Sequence, residues 1–247
     1  MINTLIQIAK DAGSKIMEIY ATDFEIYTKD DKSPLTEADK AANEIICAGL
    51  KDLAPEIPIL SEENKTVDYS ERKEWSKMWV VDPIDGTKEL IKKNGEFTVN
   101  IALVENGVPS MGVVYAPAID DLYWADDLAA YKNGKKLPIN VNYTPKKSLT
   151  IVASRSHMSQ ETQDYVDSLK KNTESIELIS VGSSLKLCYV AEGKADQYPR
   201  LAPTMEWDTA AAHAVALKAG IEVLNFETRQ ALQYNKENLL NPWFLVK

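Results

Sequence analysis

Acidic side chains stand together at two points of the sequence, Ser61-Glu62-Glu63 and Asp82-Pro83-Ile84-Asp85-Gly86-Thr87. Each follows a short apolar run, residues 57–60 and 78–81, that reads as a strand, and open sheets bind ligands beyond the carboxyl ends of their strands. Pro83 fixes its own φ and restrains Asp82, so the chain is expected to turn there, with both carboxylates on one side and the Ile84 carbonyl free to join them. Gly86 lets backbone approach a ligand closely, and Thr87 opens a short helical segment whose N–H groups favour an oxyanion. Carboxylates and a carbonyl, without His or thiolate, are hard oxygen donors. They suit Mg²⁺ or Mn²⁺ and disfavour zinc.

Blander explanations compete at each position. An EF-hand counted from Asp82 would need Glu at its twelfth position, where Lys93 stands. A capped turn accounts for Asp85-Gly86 but not for Glu62-Glu63 after the neighbouring strand. Asp208, in Glu206-Trp207-Asp208-Thr209-Ala210, is a further ligand candidate, yet it opens an Ala-rich helix where an aspartate also serves as N-cap. Asp39 closes Thr36-Glu37-Ala38-Asp39, which reads first as a capping box with Asp in the Glu position.

The elements that must position these residues follow from periodicity. Ile2, Leu5, Ile6, Ala9, Ala12, Ile16 and Ile19 predict an amphipathic helix, and Ala42, Ile45, Ile46, Leu50 and Leu53 a second one starting at Thr36. From residue 57 to 131 short strands alternate with turns, including Glu105-Asn106-Gly107 and Asn133-Gly134, and predict a meandering sheet behind the two helices. From residue 149 onward strands and helices alternate, which is α/β texture. The expected division is an N-terminal domain of residues 1–143, carrying most metal ligands, and a C-terminal domain of residues 144–247, carrying Asp208 and the substrate contacts.

The chain of 247 residues carries 28 Lys+Arg against 37 Asp+Glu, a formal charge of −9, which argues against long nucleic acid as a partner and leaves room for a small phosphorylated ligand. No run is long enough to cross a membrane, and the first residues lack the pattern of a signal peptide. Cys47 and Cys188, without C-x-x-C spacing and in apolar company, read as two buried thiols in a reducing compartment. That points to a cytoplasmic protein. Peripheral association with a membrane, and the choice between monomer and homodimer, stay open.

Asp82-Pro83-Ile84-Asp85-Gly86-Thr87 with the downstream Trp207-Asp208-x-Ala210-Ala211 resembles the inositol monophosphatase superfamily of metal-dependent, lithium-sensitive phosphatases. Leu60-Ser61-Glu62-Glu63, Ser154-Arg155-Ser156-His157, Gly182-Ser183-Ser184-Leu185-Lys186, Ala191-Glu192-Gly193-Lys194-Ala195-Asp196 and Tyr198-Pro199-Arg200 are similar to its bacterial 3'(2'),5'-bisphosphate nucleotidases, nearly end to end. The resemblance implies an α/β fold, an alternating α/β/α/β/α sandwich with the site between two domains. It implies two to three Mg²⁺ ions, or Mn²⁺, held by Glu62, Asp82, the Ile84 carbonyl, Asp85 and Asp208, with Glu63 and Trp207 in support. It further implies that Thr87 and Asp39 orient the attacking water, a role compatible with the cap.

On the substrate side the resemblance implies contacts from Gly86, Thr87, His157, Ser183, Lys186 and Arg200. Singly, Lys186 could be a solvated helix lysine and Arg200 a surface ion-pair partner; together they supply cations for a second phosphate in an acidic site. The activity implied is hydrolysis of the 3'-phosphate of adenosine 3',5'-bisphosphate to AMP, with its sulfated analogue as a related substrate. The alternatives are an inositol monophosphatase or sugar-phosphate phosphatase of the same superfamily, and a catalytically silent nucleotide- or metal-binding module. Ala212 and Ala202 stand where many relatives carry Gly, and His213 is expected to be structural.

Overall fold

The apolar stripe of the first segment is realised as α1 (Ile2–Tyr20), with Leu5, Ala9, Ala12 and Ile16 fully buried. The computed structural model describes residues 1–28, 34–64, 67–138, 148–153 and 158–247; the expected domain boundary at 143/144, and His157, lie outside them. After α1 come β1 (Ile26–Thr28), β2 (Pro34–Thr36), α2 (Glu37–Leu53), β3 (Ile59–Ser61), α3 (Tyr69–Arg72), β4 (Lys77–Asp85) and α4 (Thr87–Ile91). A meander follows: β5 (Thr98–Glu105), β6 (Val108–Ala116), β7 (Asp121–Ala125), β8 (Ala130–Lys132) and β9 (Lys135–Lys136). The rest alternates as β10 (Ser148–Ala153), α5 (Gln160–Leu169), β11 (Ser175–Ser180), α6 (Leu185–Ala191), β12 (Tyr198–Arg200), α7 (Ala210–Lys218), β13 (Val223–Asn225) and β14 (Phe244–Val246).

One sheet has the order β3-β4-β5-β6-β7-β8-β9, with β3 parallel to β4 and the remainder antiparallel. Alternation along its strands sends Trp79, Val81, Val99, Ile101 and Leu103 to the α1–α2 side. Met78, Val80, Ala102 and Val104 face the other way, into a cluster shared with α6 and α7. Contact there is close. A Cβ on Gly112 of β6 would lie 2.3 Å from the Ala211 carbonyl oxygen, so only glycine lets α7 rest directly on the strand.

Beyond α6 and α7 lies a second sheet. β10 and β11 are parallel, β14 runs antiparallel between β12 and β13, and an Ile151–Gln197 bridge joins the two groups. With α5 outside, the layers read α/β/α/β/α, as expected. The second apolar cluster runs without a break from Met78 and Val104 to Tyr198 and Phe244. Cys188 is buried as expected, whereas Cys47 is only half-buried, because α2 turns it toward the polar pair Asn43 and Asn64. Among the described residues no helix is long and apolar enough to cross a membrane.

Candidate active site

Parallel pairing of β3 and β4 sets Ser61 opposite Val81, and one further bond, from Glu62 N–H to the Val81 carbonyl at 3.1 Å, brings Glu62 beside Asp82. The expected turn at Pro83 does not occur. β4 continues to Asp85 through a β-bulge in which Pro83 and Ile84 oppose a single residue of β5, and Pro, lacking an N–H, is tolerated where a ladder bond is already interrupted. Asp82 pairs with Asn100 and Asp85 with Thr98, two residues of equal parity, so the bulge returns both carboxylates to one face of the sheet. In a regular strand, positions three apart point to opposite faces. The Ile84 N–H donates to Asp82 Oδ1 at 3.0 Å.

Gly86, at φ 99°, starts α4 in a left-handed conformation, with the Glu96 carbonyl and Phe97 packed against it. Thr87 then faces Asp39: its Oγ1 donates to Asp39 Oδ1 at 3.2 Å, with the Ile84 carbonyl at 3.4 Å. The other oxygen of Asp39 accepts from the Thr36 N–H at 2.7 Å and from Thr36 Oγ1 at 2.6 Å. Asp39 therefore closes the capping box of α2 and meets Thr87 with one fully buried carboxylate.

Asp208 arrives from the other half of the chain. Thr209, not Asp208, is the N-cap residue of α7, and the Asp208 carboxylate instead accepts the Met205 N–H at 2.8 Å. Oxygens of Glu62, Asp82 and Asp208 all lie within 4.8 Å of one another. Burial, then the neighbouring carboxylates Glu62, Asp85 and Asp208, hold Asp82 well above the usual carboxylate range. Asp208 is pushed up to about 8 by burial and by Asp85. Asp85 rises to about 6 through burial, held back mainly by the Lys186 ammonium. An all-oxygen set whose members repel one another fits a hard divalent cation, which removes the repulsion. Glu63 is outside this trio, and Trp207 packs against the core beside Asp208.

The facing wall is the segment before α6. Ser183 adopts φ 52°, its hydroxyl is buried with no partner among the described residues, and Lys186 is buried with its ammonium donating to the Ser183 carbonyl at 2.6 Å. Burial lowers Lys186 to about 8, against the raising effect of Asp85. Arg200 donates through Nη2 to the Pro203 carbonyl at 2.8 Å, and its buried Nε has no partner among the described residues. Asp85, Gly86, Ser183, Lys186, Arg200 and Asp208 line one cavity of about 510 Å³, whose outer rim includes Lys88 and Lys92.

A buried polar node beneath the site escaped the sequence reading. Ser184 Oγ donates to Asn100 Oδ1 at 2.7 Å and lies 2.9 Å from Thr98 Oγ1, while the Ser184 N–H serves the Asp85 carboxylate. Thr98 and Asn100 are the β5 residues opposite Asp85 and Asp82. Two polar residues at alternate positions of the apolar run Phe97–Val104 were the available signal: they mark one face of that strand as polar.

The pattern that defines the inositol monophosphatase family matches residues 1–243. The Salmonella typhimurium protein named 3'(2'),5'-bisphosphate nucleotidase CysQ is 44% identical over 248 residues, covering 100% of this chain and 99% of that one. Its Escherichia coli K12 counterpart is 42% identical over 248 residues, with the same coverage. The crystal structure of CysQ from Bacteroides thetaiotaomicron superposes with a TM-score of 0.88 at 47% identity, covering 99% of this chain and 95% of that one. An IMPase of Thermotoga maritima shares the fold, with a TM-score of 0.78 at 24% identity over 98% of this chain and 89% of that one. With a match over nearly its whole length, with Asp85 and Asp208 lining one cavity and Asp82 grouped with Asp208, the chain belongs to the inositol monophosphatase family.

Proposed function

We propose that this chain hydrolyses the 3'-phosphate of adenosine 3',5'-bisphosphate to AMP and inorganic phosphate, with the sulfated analogue as a related substrate. One observation carries the chemistry: Thr87, bonded to Asp39, lines a pocket with Glu62, Asp85, Asp208 and Arg200, and Asp85, Asp208 and Arg200 also line the cavity that holds Lys186. Full-length similarity to proteins named 3'(2'),5'-bisphosphate nucleotidase supports the substrate class.

In this reading Glu62, Asp82, Asp85, Asp208 and the Ile84 carbonyl hold divalent cations, Mg²⁺ by the hardness of the donors. When bound, such ions neutralise phosphoryl oxygens and make a water acidic enough to attack. Thr87 donates its hydroxyl hydrogen bond to Asp39 and keeps its proton, so its lone pairs would accept from the attacking water and fix its direction. The Gly86 and Thr87 amides meet charge developing on the phosphoryl oxygens. Lys186 and Arg200 bind the phosphate that stays on the nucleotide, with Ser183 beside them on the cavity wall. Residues 1–143 and 144–247 act as two lobes with this site at their junction. His157 falls outside the described residues, and its substrate contact rests on the resemblance alone.

The test is phosphate release from adenosine 3',5'-bisphosphate with Mg²⁺, in excess chelator, and by Asp85→Asn. Release with Mg²⁺ and its loss in the other two conditions support the proposal. Undiminished release in chelator, or by Asp85→Asn, overturns it.

A further inference from the structure

Arg72 ends α3, is 2% exposed, and has no carboxylate at ion-pair distance among the described residues. Its guanidinium instead spends its donors on one irregular stretch near the C-terminus and on its own loop. Nε donates to the Val67 carbonyl at 2.9 Å, Nη1 to Asn235 Oδ1 at 2.8 Å and the Lys236 carbonyl at 3.3 Å, and Nη2 to the Lys236 and Glu237 carbonyls, both at 3.3 Å. Asn235 answers by donating its amide to the Arg72 carbonyl at 2.7 Å. Buried charge is tolerated only when its donors are satisfied.

The opposite charge is Glu206, fully buried, which holds the same stretch from its other side. Glu206 accepts the Asn235 N–H at 2.7 Å, the Lys236 N–H at 3.0 Å, and the Lys236 ammonium. Peptides 235–237 thus lie between a cation that takes their carbonyls and an anion that takes their N–H groups. Neither charge contacts the other; the polarised peptides couple them.

Glu206 is also the floor of the turn that carries Asp208. Its carbonyl accepts the Thr209 N–H at 3.2 Å and the Ala210 N–H at 3.0 Å, and its N–H donates to the Leu239 carbonyl at 3.0 Å. Asn241, from the same C-terminal stretch, donates to the Met205 carbonyl at 2.8 Å and to Thr209 Oγ1 at 3.1 Å. The turn sets where the Asp208 carboxylate stands, within 4.8 Å of oxygens of Glu62 and Asp82 from the first half of the chain.

We infer that Arg72, through Asn235 and Glu206, is a positioning residue for Asp208, fixing the one carboxylate that comes from the second half of the chain against those of the first. Arg72 belongs to the half that carries Glu62, Asp82 and Asp85, so the latch joins the two sides of the site behind the cavity. The inference rests on the proposed role of Asp208 as a divalent-cation ligand. A loose Asp208 weakens cation binding but leaves the water-orienting Asp39 and Thr87 in place, so the deficit should be recoverable with excess cation.

The experiment is calorimetric titration of Mn²⁺ into chelator-stripped full-length protein, for wild type, Arg72→Met, Asn235→Ala, Asp208→Asn and the core control Leu5→Ala, with thermal melts of each. Arg72→Met is expected to raise the Kd for Mn²⁺ about tenfold and Asn235→Ala about threefold, with kcat near wild type at saturating Mn²⁺. Leu5→Ala is expected to lower Tm without moving the Kd. Should Arg72→Met not fold, Asn235→Ala decides alone, since it keeps the guanidinium and its carbonyl contacts. If both latch variants bind as wild type while Asp208→Asn does not, or if Leu5→Ala shifts the Kd equally, the latch is overturned and the ligand role of Asp208 stands. If Asp208→Asn binds as wild type, that ligand role fails, and the latch with it.

Discussion

Thr87 Oγ1 meets one oxygen of Asp39 at 3.2 Å, and the other oxygen of that carboxylate closes the cap of α2. The two functions are separable by mutation. Thr87→Ala removes only the hydroxyl proposed to orient the attacking water, so kcat should fall by about 10²- to 10⁴-fold with little change in Tm or in divalent-cation affinity. Asp39→Asn should match that loss in rate and also lower stability by about 1 kcal/mol through the damaged cap. The double variant should lose little more rate than either single one, because the pair acts as a unit. Steady-state kinetics on the three variants checks this; fully additive losses would make Asp39 a cap and nothing else.

Ser184→Ala strips the donor from Asn100 Oδ1 in a node where Ser184, Thr98 and Asn100 are all buried. An orphaned buried acceptor costs about 1–3 kcal/mol, so urea unfolding should show a loss of that size. Alanine keeps the Ser184 N–H that serves Asp85, so KM for Mg²⁺ should stay near wild type in the same variant. A stability change below about 0.5 kcal/mol would mean that the node is not sealed from water.

Much of the fold could be read from the chain because its signals are local. The stripe of α1, the Thr36–Asp39 box and the Asn-Gly turns are each complete within a few residues. Glu62, Asp82 and Asp85 were legible for the same reason: each ends a recognisable apolar run. The bulge was not, since Pro83 suggests a turn wherever it stands and only the register with Asn100 and Thr98 shows that the strand goes on. β14 went unread because three residues after Pro242-Trp243 carry no period, yet Phe244–Val246 is the middle strand of its group. Arg72 and Asn235 are 163 residues apart, and no spacing rule connects them.

Removing divalent cations should give the protein an unusual pH response. Asp208 titrates near 8 in the folded state against an ordinary carboxylate value of 3.8, so between these limits the folded protein keeps a proton that the unfolded chain has lost. Stability then falls as pH rises. His213 opposes this below pH 6.5, because burial lowers it to about 3 and the unfolded chain binds the proton first. Between pH 6.5 and the approach to 8, where Lys186 begins to lose its proton, the carboxylates act without that opposition, and the unfolding free energy in chelator should fall with rising pH, by at most about 1.4 kcal/mol per unit for one group and less where water screens it, with Tm falling in step. With saturating Mg²⁺ the fall should vanish. Equal slopes with and without Mg²⁺ would contradict a shared cation site.

Arg200→Ala removes a charge-assisted contact worth on the order of 1.5–3 kcal/mol, about a tenfold to hundredfold loss in kcat/KM for the bisphosphate. A 3'-monophosphate offers no second anion and should be nearly unaffected. Equal losses on both substrates would move Arg200 from substrate binding to support of the Pro203 loop, whose carbonyl it already holds.

The most direct measurement is a side-by-side phosphate-release assay with Mg²⁺ on adenosine 3',5'-bisphosphate, adenosine 3'-monophosphate and inositol monophosphate. The highest kcat/KM is expected for the bisphosphate, with the 3'-monophosphate well behind and inositol monophosphate lowest. A preference for inositol monophosphate, or no release from the bisphosphate, would contradict the assignment.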